Sequence, residues 1–129
     1  MYFLACDQAR SETTRKNLFI GAYGSAMVVE GSFPAFLPSL SLIACLRFLK
    51  RKENVTVRVT IPGVPEIQEH KVPFEAPKPA DAMTYILNLS PCVIPRPGTL
   101  RVDYVFEDGH TESGELEVMA AQDYKASKW

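Results

Sequence analysis

Two histidines, three cysteines and a short series of glutamates are the residues of this 129-residue chain whose types could support chemistry. His70 sits in the charged stretch Gln68-Glu69-His70-Lys71, and His110 follows the turn pair Asp108-Gly109. A zinc site would need them joined by thiolates or carboxylates at short, recognisable spacings. No such spacing occurs, so both read as surface imidazoles and no metal is expected. Cys6, Cys45 and Cys92 are widely separated, odd in number and form no C-x-x-C pair. Cys45 and Cys92 fall in or beside expected core segments, where a thiol packs as a small hydrophobe. No sequence neighbour suggests the orienting base that a nucleophile requires. Glu112, Glu115 and Glu117 place carboxylates on one segment, and Glu115 and Glu117 share a face; a solvated strand face accounts for them better than a cation site. Phosphate loops, G-x-S-x-G and dinucleotide fingerprints are absent. These residues point to no catalytic group, no cofactor and no small-molecule substrate.

One stretch departs from this inert picture. Phe33-Pro34-Ala35-Phe36-Leu37-Pro38 puts large apolar side chains into a proline-fixed loop. Such side chains either fold under the domain as a lid on its core or form an exposed patch that a protein partner, or a second copy of the chain, buries. Phe33, Phe36 and Leu37 are the candidate partner-binding residues. Tyr124 and Trp129, in the polar tail, form a second and weaker candidate.

Composition limits the partners. With 14 basic and 15 acidic residues there is no global field to attract phosphate, so nucleic acid is not expected. The local basic run Lys50-Arg51-Lys52 is cut short by Glu53 and reads as a solvated turn. The N-terminal M-Y-F-L-A-C-D lacks a basic region and an apolar run long enough for a signal peptide. Phe33 to Leu49, the most apolar window, is broken by Pro34, Pro38 and Arg47 and cannot span a bilayer. Together with the unpaired cysteines, this leads to the expectation of a cytoplasmic protein without membrane association.

The elements that must position these residues are strands. From Pro97 to Val118, Leu100, Val102, Tyr104 and Phe106 alternate with Arg101, Asp103 and Glu107, and Leu116 and Val118 alternate with Glu115 and Glu117 around Asp108-Gly109. That is the period of two of half-buried strands in an antiparallel hairpin. A strict two-residue loop would pair Val102 with Glu115 and invert the second strand, because a slip of one residue exchanges the faces. The spacing predicts a loop of three or five residues, with Gly109 or Gly114 supplying a positive φ or a bulge.

Elsewhere, Tyr2 to Cys6 reads as a first strand and Gln8 to Lys16 as an exposed connection. Asn17 to Ala22 and Ala26 to Val29 read as one bent strand or a tight hairpin. Leu40 to Phe48 alternates as a strand, with an amphipathic helix through Leu42, Ile43, Leu46 and Leu49 as the competing reading. Lys50 to Asn54 would be the hairpin loop joining it to a strand at Val55 to Ile61. Pro73 limits Glu66 to Phe74 to an edge strand, since proline cannot donate to a ladder. Met83 to Leu89 is a further strand, Pro91 to Gly98 a corner, and the tail after Met119 a frayed end or short helix.

Seven or eight short strands separated by glycine and proline turns indicate an all-β fold: an antiparallel two-sheet sandwich of immunoglobulin-like type over residues 1–119, followed by a polar tail at 120–129. A small barrel is the alternative. Cys-Asp near the start, Lys16 to Tyr23 (K-N-L-F-I-G-A-Y), Ser32 to Pro38 (S-F-P-A-F-L-P) and Pro95 to Val102 (P-R-P-G-T-L-R-V) resemble a family of small bacterial proteins known only as a domain of unknown function. The resemblance implies a cytoplasmic β-sandwich and transfers no catalytic residue.

The expected function is that of a non-enzymatic module that binds a protein, or itself, through loop or edge-strand surfaces. Two alternatives stay open: a structural component of a larger assembly of phage or secretion type, and a small-ligand or metal-dependent enzyme whose site the sequence does not reveal.

Overall fold

The computed structural model describes residues 2–11, 17–24, 26–47, 52–75 and 82–123. Eleven strands account for nearly all of it: β1 (Tyr2–Ser11), β2 (Asn17–Tyr23), β3 (Ala26–Val29), β4 (Ala35–Leu37), β5 (Leu40–Arg47), β6 (Lys52–Thr60), β7 (Gln68–Glu75), β8 (Ala82–Leu89), β9 (Cys92–Ile94), β10 (Gly98–Val105) and β11 (Thr111–Ala120). The only helical residues described are 121–123, and among the described residues no helix is long and apolar enough to cross a membrane. The fold is all-β, with more strands than the seven or eight expected. Tyr124 and Trp129 lie outside the described residues.

The strands form a four-stranded sheet in the order β2-β1-β5-β8, a five-stranded sheet in the order β3-β11-β10-β6-β7 and a two-stranded ribbon of β4 and β9. One hydrophobic cluster draws on all three. The four-stranded sheet contributes Ala5, Leu40, Leu42, Ala44, Leu46 and Leu89. The five-stranded sheet contributes Met27, Val55, Val57, Val59, Leu100, Val102, Tyr104, Leu116 and Val118, and the ribbon Ala35, Cys92 and Ile94. Each points to the core side of its pleated strand; on β1 and β5 the opposite face is buried too, at Cys6, Ser41 and Ile43.

The β10–β11 hairpin forms as its alternation demands. Leu100 faces Leu116 and Val102 faces Gly114, so the apolar sets share the core side. Phe106 pairs with His110 through its amide (2.8 Å), leaving Glu107, Asp108 and Gly109 as a three-residue loop. Gly109 takes φ 90° there, the left-handed conformation that such a loop closes on. Gly114 has a different task. A Cβ at that position would fall into the ring of Phe3, which comes from the other large sheet and occupies the space the missing side chain leaves.

Four sequence expectations give way. First, β5 does not pair with the strand that follows it: its neighbours are β1 and β8, while β6 lies between β10 and β7. Lys52 to Asn54 are strand residues rather than hairpin loop, and buried Glu53 accepts the Glu107 amide at 3.0 Å. Second, β2 and β3 are neither one strand nor a hairpin, because they belong to different sheets. Third, β3 runs parallel to β11, so the sheet is not purely antiparallel. Fourth, Gln8 to Ser11 continue β1, held by pairing with β2. Backbone pairing overrides polar composition in that segment. Residues 12–16 and 48–51 lie outside those described.

Candidate functional site

The Phe33 to Pro38 stretch is not a simple loop. Its centre, Ala35 to Leu37, is strand β4, paired antiparallel with β9: Ala35 opposite Ile94, Phe36 opposite Val93, Leu37 opposite Cys92. Strand periodicity therefore divides the stretch. Ala35, Cys92 and Ile94 are buried, and Phe33 and Leu37 pack partly buried against the core. Phe36 points outward and is 72% exposed, and its cross-strand partner Val93 is 38% exposed. The lid and the patch are two faces of one ribbon.

The ribbon is held from both sides. The Ser90 hydroxyl donates to the Pro38 carbonyl at 2.9 Å, and Ser39 donates to the Asp7 carbonyl at 2.7 Å. Tyr23 donates its hydroxyl to the Asp7 carboxylate beneath it. Burial, then that hydrogen bond and the Asp7 charge, push the Tyr23 hydroxyl well above its ordinary value, so it stays a donor at any physiological pH. A shallow hollow of about 370 Å³ beside β4 is lined by Tyr23, Met27, Val29, Pro34 and Phe36 among others. A second, of about 430 Å³ beside β9, is lined by Ile61, Val64, Leu87, Leu89 and Val93 among others. Both hollows are mixed in character, with Glu30 and Ser32 in the first and Gln68, His70 and Asn88 in the second, so the exposed apolar surface is centred on Phe36 and Val93.

The residues with chemical potential are not gathered. His70 is exposed on β7 and His110 is exposed beside the β10–β11 turn, 3.8 Å from Glu112 and with its ring 5.4 Å from that of Phe106. Among the described residues no group of three or more His, Cys, Asp or Glu is placed to hold a metal ion. None of the three cysteines is in a disulfide, and burial raises the pKa of Cys92. The carboxylates of β11 are committed locally: Glu115 to Arg101 (3.1 Å) and Glu117 to the Thr99 hydroxyl (2.8 Å). Arg101 also holds Asp103 at 2.9 Å. Partial burial works to raise the Asp103 pKa, but hydrogen bonds from Ser113 and Arg101 outweigh it and leave the carboxyl below its ordinary range.

Val93 is the part of this surface that sequence reasoning missed. Three strand residues between Pro91 and Pro95 are too few to display a period, and the segment reads as a corner.

A family model matches residues 1–119, and the chain belongs to that family, a family of unknown function (DUF6941). No curated protein and no solved structure matches the chain.

Proposed function

We propose that this member of the DUF6941 family is a non-enzymatic protein-interaction module, an immunoglobulin-like β-sandwich that docks a cytosolic protein on the outward face of the β4–β9 ribbon. The observation that carries the reading is Phe36, a phenylalanine 72% exposed on a strand whose neighbouring positions are inward. A solitary exposed apolar residue is ordinary. A protruding aromatic ring paired with an exposed Val93, on a ribbon pinned by the Ser90 and Ser39 hydroxyls, is a preorganised anchor for an apolar pocket on a partner. Both large sheets send side chains into one core, which suits a sandwich. Three cysteines outside any disulfide suit a reducing compartment.

The test places a photo-crosslinking phenylalanine analogue at position 36 in the native host, with the same analogue at position 110 as the control. The expected result is a discrete protein adduct from position 36 that disappears when Val93→Asp is added. Adducts from position 36 no different from those at 110 would overturn the proposal. So would a Phe36→Asp variant that loses stability as a core substitution does.

A further inference from the structure

The strands that end the two large sheets are protected unequally. In the five-stranded sheet, β7 carries Glu69, His70, Lys71 and Glu75 together with Pro73, and β3 at the other end is only four residues long. Charge, proline and shortness are the usual devices that stop an open edge from pairing with another chain. In the four-stranded sheet, β8 has none of them. Its eight residues, A-M-T-Y-I-L-N-L, include no charge, proline or glycine. The opposite edge strand, β2, is also uncharged but is interrupted by Gly21, which weakens a strand.

Among the described residues β8 has β5 on one side and no strand on the other. The hollow of about 430 Å³ reaches that open side, because Leu87, Asn88 and Leu89 all border it together with Gln68 and His70 of β7. Consecutive strand residues point to opposite faces, so three in a row line one hollow only along the strand's edge. Farther along, Phe74 of β7 meets Tyr85 of β8, ring centroids 5.5 Å apart and near perpendicular. Both rings pack against the core, so the contact is between inner faces, and among the described residues the backbone edge of β8 stays without a strand partner along its length.

We propose that β8 is a self-association edge: two copies of the chain pair β8 with β8 antiparallel about a two-fold axis and join their four-stranded sheets into one. Charge selects this occupant. In a two-fold antiparallel pair each strand meets its own sequence reversed, so charges of one sign, the usual guard on an open edge, would recur on both sides of the seam and repel. An uncharged strand escapes that penalty. A two-fold axis at Ile86 sets Met83 against Leu89, Thr84 against Asn88 and Tyr85 against Leu87, matching apolar with apolar and polar with polar. Unpaired backbone groups along both edges would then satisfy one another. The proposal stands on the topology; it shares with the ribbon surface only the hollow between β8 and β9 and does not use Phe36.

Light scattering over a concentration series, on the wild-type chain and on Thr84→Lys/Asn88→Lys, tests it. The wild type is expected to reach the mass of a dimer. The double variant places like charges opposite each other in both rows and should weaken association by at least about tenfold. Phe36→Asp should leave the mass unchanged. Hydrogen exchange of the wild type gives a reading that does not depend on how the variant folds: amides of β8 should slow as concentration rises, while those of β4 and β9 should not. A wild type monomeric at every concentration would overturn the proposal, as would a dimer whose concentration-dependent protection falls outside β8 or one dissociated by Phe36→Asp.

Discussion

The β10–β11 hairpin and the β4–β9 ribbon are both antiparallel pairs with one face in the core, and they treat their outer faces in opposite ways. On the hairpin, Arg101 engages Asp103, Glu115 and Ser113, and Thr99 engages Glu117, so the face turned to water is a network of charges and hydrogen bonds. On the ribbon the same position in the pleat holds Phe36 and Val93. Alternation explains why each pair has an inside and an outside, but only the hairpin's outside is built for solvent. The contrast separates a face crossed by ion pairs and hydrogen bonds from one that leaves an aromatic ring bare.

The largest effects that sharpen this contrast lie on the inward faces. Ile94→Ala, which empties a fully buried site on the ribbon, should cost about 3 kcal/mol in urea unfolding. Gly114→Val drives a side chain into the Phe3 ring and should cost about 2 kcal/mol or more, read as a lower urea midpoint. Tyr104→Phe should act in the opposite direction. Its hydroxyl is buried without a hydrogen-bond partner among the described residues, and burial, then the neighbouring Tyr85, raises its pKa. Removing that oxygen should stabilise the fold by about 1 kcal/mol, seen as a higher Tm.

Outward positions should respond weakly. Phe36→Asp should change unfolding free energy by less than about 0.5 kcal/mol; a loss comparable to that of Ile94→Ala would place Phe36 in the core and erase the distinction. The smallest effect is one of pH. Because the Asp103 carboxyl is held below its ordinary range, its contribution is complete above the unfolded-state pKa of about 4 and is lost as pH falls through the depressed value. Asp103→Asn should flatten the acid limb of the stability profile and leave the limb above neutral pH unchanged.

How much of this could be read from the residues depended on segment length and on pairing distance. The hairpin was legible because Leu100 to Phe106 and Leu116 to Val118 show the period repeatedly, and because the parity of the two apolar sets excludes an even loop. The edge position of β7 was legible from Pro73 alone. Length failed at β4 and β9, three residues each, where alternation cannot declare itself. Distance failed at β5 and β6: sequential strands often pair, but Leu40 to Leu46 and Val55 to Val59 instead face each other's sheets across the core. The parallel pairing of β3 with β11 had no local signature, since it joins residues about ninety positions apart. Of the candidate surface, Phe36 announced itself as an aromatic among prolines. Its orientation and its neighbour Val93 came only from the ladder.

The order in which the chain visits its layers has a further consequence. Strands β1 and β2 enter one sheet, β3 the other, β5 the first again, β6 and β7 the second, β8 the first, and β10 and β11 the second. Neither layer can be assembled from a contiguous fragment, so no half of the polypeptide is a folding unit in its own right. Acquisition of the native state must wait for distant segments to meet, which places this domain among slow folders, on a scale of milliseconds to seconds. A cut in any surface connection would yield pieces that recover structure only together.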